Sequence, residues 1–280
     1  MDVTFHELNR PHLQALVPQK GRLVEAVLAQ AQRNQTRLNM LLMLSLDEAG
    51  CLLTTGADGA ELRRALRTAA QCVAAAFALA QTPAGQDVEV VLGTQAVRYR
   101  RDQPLPAHNE HRWLTGFFLA TAVRDRRIQD LLCAVPAEQI HDARSHAPAY
   151  MLPFVETLRA LHLGSGAAAA QCADAQQQIS QPTGDGEERR MAALLDGPTI
   201  ELCRRIVHSD YNGFQATLIQ ALQFHGMYWS HDAESRNAPM GALALGPLAM
   251  ACLAHDHGVD ITVRSDYLPQ RLIVGGSDSE

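Results

Sequence analysis

Lysine is almost absent: of 24 basic residues only Lys20 is not an arginine. Aromatic residues make up just 5% of the chain, and the apolar surplus is alanine and leucine, a balance that favours helices over a β-sandwich. No apolar run approaches the roughly 20 residues needed to span a bilayer. The opening Met1 to Glu7 lacks the basic and apolar regions of a signal peptide. The six cysteines (51, 72, 133, 172, 203, 252) contain no C-x-x-C pair and read as reduced core residues. These absences together predict a soluble cytoplasmic protein.

Catalytic signatures are missing as well. There is no G-x-x-x-x-G-K phosphate loop and no G-x-G-x-x-G after a strand. Gly164-Ser165-Gly166 follows a helical segment and lacks the G-x-S-x-G frame of a nucleophile elbow. Twelve histidines raise the question of a metal, and His255-Asp256-His257 and His108-x-x-His111 are the tightest groups. Residues i and i+2 lie on different helix faces, so His255 and His257 cannot chelate one ion, and no third ligand accompanies His108 and His111. The expectation is no catalytic residue, no metal and no cofactor.

What is present is 280 residues with 47% hydrophobic and 19% charged content, enough for a substantial core. The predicted fold is mostly α: a multi-helix bundle or repeat-like stack with one β-hairpin at about 88–100 and a short C-terminal strand at about 259–264. A single domain over 1–280 is expected, with residues 164–186, rich in Ala, Gln, Ser and Gly, as a candidate mobile connector, within which Ala167 to Ile179 forms a helix if it packs. A first, shorter helix carries Leu23, Val27 and Leu28 and ends near Asn34; the periodicity of Leu38 to Leu44 fits either helix or strand. Asp58 with Glu61 reads as a capping box before Leu62, Leu66, Ala69, Val73, Phe77 and Ala80, with Arg63, Arg64, Arg67 and Gln71 facing away. Val88 to Leu92, Gly93-Thr94 and Gln95 to Arg100 read as a hairpin with a two-residue turn. Further helices are expected from Asn109 through Trp113 to Arg124, at Tyr150 to Leu161, Glu187 to Leu195, Pro198 to His208 and Phe214 to Trp229. Trp113 and Trp229 serve as core anchors, and His225 as a hydrogen-bonded core histidine.

The densest pattern lies between Gly246 and Leu272. Pro247 suits the first helical position, and Leu248, Cys252, Ala249 and Leu253 make the helix apolar over most of its girth. Gly258 supplies a left-handed helix stop, Val259, Ile261 and Val263 alternate as a half-buried strand, and Ser265 to Pro269 close the unit as a turn. On residues alone, Ser265 and Asp266 either satisfy turn amides while Tyr267 and Leu268 cover the core, or Asp266 and Tyr267 present a recognition surface.

The run Ala251-Cys252-Leu253-Ala254-His255-Asp256-His257-Gly258, followed by Ser265-Asp266-Tyr267-Leu268-Pro269-Gln270-Arg271-Leu272, resembles the C-terminal signature of the immunity protein 49 family of bacterial polymorphic toxin systems. Phe214, Leu218, Ala221, Leu222, His225, Tyr228 and Trp229 resemble the helix before that signature, and the Trp113 helix ending at Arg124-Asp125 resembles the family's middle portion. The resemblance implies a non-catalytic partner of a cognate toxin used between competing bacteria.

Charge adds a direction. Residues 230–280 hold seven acids against three arginines, a net of −4, while the preceding 229 residues carry −2. A basic protein would be steered there and a phosphate backbone repelled. Asp232, Glu234, Asp256, Asp266 and Tyr267 are therefore the candidate toxin-binding residues, with Trp113, Trp229, Pro247, Gly258 and Pro269 as structural anchors. The expected mechanism is stoichiometric occlusion. Two other classes stay open on the sequence: a helical protein–protein adaptor without a toxin partner, and an enzyme that reverses a toxin's modification.

Overall fold

In the computed structural model, residues 2–56, 59–102, 108–140, 147–181 and 184–275 are described. In chain order the elements are β1 (Asp2–Val3), α1 (Arg10–Ala31), α2 (Leu38–Thr54), α3 (Ala60–Gln81), β2 (Asp87–Leu92), β3 (Gln95–Arg100), α4 (Glu110–Val123), α5 (Arg126–Cys133) and α6 (Ala137–Ile140). They continue with α7 (Met151–His162), α8 (Ala168–Ile179), α9 (Gly186–Met191), α10 (Gly197–Val207), α11 (Phe214–Trp229), α12 (Ala233–Arg236), α13 (Leu245–Asp256), β4 (Arg264–Ser265) and α14 (Gln270–Ile273). The mostly-α reading holds. One continuous apolar cluster runs from Val24 to Ile273, so every long helix contributes a face to the same interior.

The first three helices stack in order, α2 packing on both α1 and α3, α3 on α4, and α4 on α13. Leu38 to Leu44 resolves as helix because α2 is sandwiched: Leu38, Leu41, Leu42 and Leu46 are all buried. At Gly50 the 239–242 turn crosses α2 so closely that a β-carbon would lie 1.8 Å from the Pro239 carbonyl oxygen. The first helix is longer than expected, 22 residues beginning at Arg10, because Asn9 caps it by accepting the His12 amide and Pro11 fits the first turn. The capping box expected at Asp58 and Glu61 starts before α3, which begins at Ala60. Its N-cap is Gly59, with no side-chain cap bond, and Asp58 lies outside the described residues.

The hairpin pairs Val88 with Tyr99 and Leu92 with Gln95 across Gly93-Thr94, in the expected register. Its Val90, Val97 and Tyr99 face docks on helices, and the Tyr99 hydroxyl donates to the Ala31 carbonyl. Gln71 does not face away as the pattern suggested. It is buried, accepts the Gly93 amide at 2.8 Å and donates to the Gly93 carbonyl at 3.1 Å, clamping the hairpin turn onto α3. Trp113 is fully buried, stacks on Phe117 at 5.0 Å and donates its indole N–H to the Leu132 carbonyl at 2.8 Å.

Three further expectations resolve in detail. Residues 168–179, inside the candidate connector, take the helical alternative and form α8, which buries Ala168, Cys172 and Ala175 against α7 and α10. The helices expected at 187–195 and 198–208 are one continuous run, α9 passing through a π-helical segment (Ala192–Asp196) into α10. Pro198 is tolerated there because the wider turn needs no N–H at that position. Finally α13 starts at Leu245, so buried Pro247 sits third in the helix and not first.

Candidate functional site

The C-terminal unit begins where expected and then departs from expectation. Gly258 (φ +87°) ends α13: its amide bonds the His255 carbonyl at 2.8 Å and the Val259 amide bonds that of Ala254 at 3.0 Å. The strand expected at 259–264 is only Arg264–Ser265. Ile261 and Val263 are buried and Asp260 and Thr262 exposed, as the alternation required. However, the segment is held by side chains in place of a ladder. Gln215 of α11 donates to the Asp260 carbonyl at 2.7 Å, and Gln270 donates to that of Val263 at 2.9 Å.

The partner of β4 comes from the other end of the chain. β1 pairs with it in parallel, Asp2 opposite Arg264 and Val3 opposite Ser265, so residues 2–10 lie as a strap across the C-terminal unit. The Asp266 amide donates to the Val3 carbonyl at 3.2 Å, while its carboxylate accepts the Phe5 amide at 3.2 Å and the Arg10 guanidinium at 2.6 Å. Tyr267 is 1% exposed, with its hydroxyl against His6 and its ring edge-on to Phe5 and His225, each at 5.0 Å. The Asn9 amide donates to the Asn237 side chain at 3.1 Å, bringing α12 alongside. No local signal in the first ten residues announced this role; charge pairing of Arg10 with Asp266 is visible only in space.

The five candidate binding residues thus divide. Tyr267 is not a surface residue, because the strap covers it. Asp266 is half-exposed but committed to Phe5 and Arg10. Asp256 pairs with Arg124 at 3.0 Å, and Arg124 (φ +55°) also donates to the Leu272 and Ile273 carbonyls, so this acid helps tie α4 to α13 and α14. Asp232 is exposed, caps α12 by accepting the Ser235 amide at 2.7 Å, and that bond holds its carboxyl below the usual carboxylate range. Glu234 is exposed and, among the described residues, has no partner. Of the anchors, Trp113, Pro247 and Pro269 are buried. Trp229 is half-buried, packing on the turn at Gly241 with its indole N–H unpartnered among the described residues.

Between the strap and the C-terminal half of α11 runs a groove of about 610 Å³. The strap supplies Asp2 to His6, the helix supplies Leu222, Gln223, Gly226 and Met227, Ser230 and His231 follow from just beyond its end, and Tyr267 forms the floor. Burial lowers the pKa of His6 and takes that of His225 behind it down to about 4, so both rings are neutral at pH 7. His225 satisfies one ring nitrogen on the Gly241 carbonyl at 2.9 Å, as expected of a core histidine.

Most other reactive groups are dispersed, although Cys172 and Cys203 meet side by side, and the Cys203 contact lowers the pKa of the Cys172 thiol. All six cysteines are buried, and burial raises Cys51 to about 11 and Cys133 and Cys252 to about 12. Asp196, on the π-helical segment, accepts the Tyr150 hydroxyl at 2.6 Å, and burial raises its carboxyl to about 6. Among the described residues no three His, Cys, Asp or Glu side chains converge as a metal site requires. No helix of the described residues is long and apolar enough to cross a membrane.

No curated protein and no solved structure matches the chain. The family model described as immunity protein 49 does match, over residues 55–272, which includes α11, α12 and Tyr267 but not the strap. The chain belongs to the immunity protein 49 family.

Proposed function

We propose that this chain binds a cognate bacterial toxin one to one and covers the surface with which that toxin works, without making or breaking bonds. Membership of the immunity protein 49 family carries the reading. The electrostatics around α12 support it. Arg10, Arg190 and Arg236 are each spoken for by a carboxylate (Asp266, Glu187 and Glu7), whereas Asp2 and Glu234 have no ion pair among the described residues. Arg264, opposite Asp2 in the ladder, has no ion pair among the described residues either, so the surplus negative charge on this side rests on Asp232 and Glu234; it accelerates encounter with a basic partner and disfavours nucleic acid.

The scaffold suits such a task. Strap, α12 and the 264–267 turn are cross-linked by hydrogen bonds, so little ordering entropy remains to be lost on association. An interface of ordinary size would cover roughly 800 Å² here. The chain would act in the cytoplasm, where a delivered toxin reaches its target.

Co-expression with the toxin encoded by the adjoining gene tests this. Growth should recover only as this chain approaches equimolar amounts, and a one-to-one complex should survive a sizing column. Full protection by trace amounts would mean turnover, and would replace occlusion with an enzymatic reversal of toxin damage.

A further inference from the structure

The groove beside the strap has free hydrogen-bonding groups that the fold itself does not use. β1 pairs with β4 on one edge; among the described residues its second edge has no strand neighbour. Val3, Phe5 and His6 turn main-chain groups inward, to Asp266 and Tyr267. Thr4, between them, is exposed, lines the groove, and makes no hydrogen bond among the described residues. In extended chain, successive residues direct their N–H and C=O to opposite sides, so Thr4 presents both on the side away from β4.

Across the groove, the Gln223 side chain is exposed and also unbonded among the described residues. Met227, 58% exposed, lines the groove together with Val3 and Phe5, an apolar seat for one side chain. No lysine or arginine lines this space, although Arg264 stands opposite Asp2 on β4; Asp2 lines it, and His231, which pairs with Asp232, leads on to Glu234.

We propose that this groove seats an extended segment of the toxin, which adds as a strand to the free edge of β1. Resting on the neutralisation reading above, this names where and how that partner is held. The segment's main chain bonds Thr4, one of its apolar side chains packs on Met227, and a lysine or arginine faces Asp2 or Asp232. Strand addition gives affinity through the main chain and specificity through alternate side chains. Its basic character follows from the charge of the walls.

The test measures binding of the purified product of the adjoining toxin gene to the full chain and to Met227→Glu and Thr4→Pro. Met227 is exposed and Thr4 donates no internal bond, so both variants should keep the wild-type Tm, and each should weaken binding at least tenfold. Thr4→Val, which keeps the amide, should bind within about twofold of wild type. Tight binding by the unmodified chain with both Met227→Glu and Thr4→Pro unchanged would overturn the groove while leaving neutralisation intact. No binding by the unmodified chain would overturn the neutralisation reading itself, and the groove's occupant with it.

Discussion

The Tyr267 hydroxyl accepts the His6 amide at 2.6 Å and donates to the same residue's Nδ1 at 2.8 Å. The direction is fixed from the far side of the ring. Nε2 lies 3.1 Å from the Arg236 carbonyl, which can only accept, so Nε2 carries the proton and Nδ1 is the acceptor. One phenol thereby locks the strap to the C-terminal turn, and its own pKa is raised to about 12 by burial.

Tyr267→Phe should therefore release the strap without emptying the core. The ring is kept, but the His6 amide and Nδ1 both lose their partner, at a cost of about 2 kcal/mol. Hydrogen exchange should show the Phe5 and His6 amides losing protection while α3 and α4 keep theirs. Unchanged protection at His6 would contradict the assigned role.

His225 makes stability depend on acid. Its folded pKa is about 4 against an ordinary 6.5, so the unfolded chain takes up a proton that the folded chain refuses. This contribution is fully present above pH 6.5 and is lost as pH falls towards 4, by about 3 kcal/mol in all. Asp196, raised to about 6, works in the opposite sense, losing its contribution as pH rises through 6. Comparing wild type with His225→Gln isolates the histidine: in urea unfolding at pH 6.5 and 4.5, the variant should lose markedly less stability on acidification.

Gly50→Ala should be among the most damaging single-atom changes available. The added carbon would fall 1.8 Å from the Pro239 carbonyl oxygen, where backbone meets backbone and no side chain can yield. A loss of about 3 kcal/mol is expected, read as a lowered Tm. Gly59→Ala, where a β-carbon meets nothing within 4 Å, serves as the control.

The thiols should be silent in the native state. With all six buried and several held as neutral thiol by burial, a thiol-specific chromogenic reagent at pH 8 should modify none within minutes, and six in denaturant. Rapid stoichiometric labelling of the native chain would show that α8 or α13 opens readily.

Among the acids, Glu234→Lys is the clean test of steering, because Glu234 neither caps nor pairs among the described residues. It should slow toxin association severalfold at low salt and have little effect at high salt, with unchanged stability. Asp266→Asn is expected to behave differently, loosening Arg10 and lowering Tm whether or not the toxin is present.

Much was legible in the chain because much is decided locally. Apolar spacing fixed α3, α4 and α11; Gly93-Thr94 set the hairpin register; and Gly258 placed the end of α13, each through a contact within a few residues of its own position. The alternation at 259–263 correctly gave the buried side chains, since burial needs only a face. Strand pairing needs a partner, and that partner was Asp2–Val3, more than 260 residues away, in a segment whose sequence is unremarkable on its own. Tyr267 and Asp266 illustrate the same division. Their place in a polar turn left open whether they cover the core or face a partner, because whether a turn faces water depends on what else folds over it. The groove exists only because the two ends of the chain meet, a long-range juxtaposition that periodicity and propensity, being properties of neighbours, cannot encode.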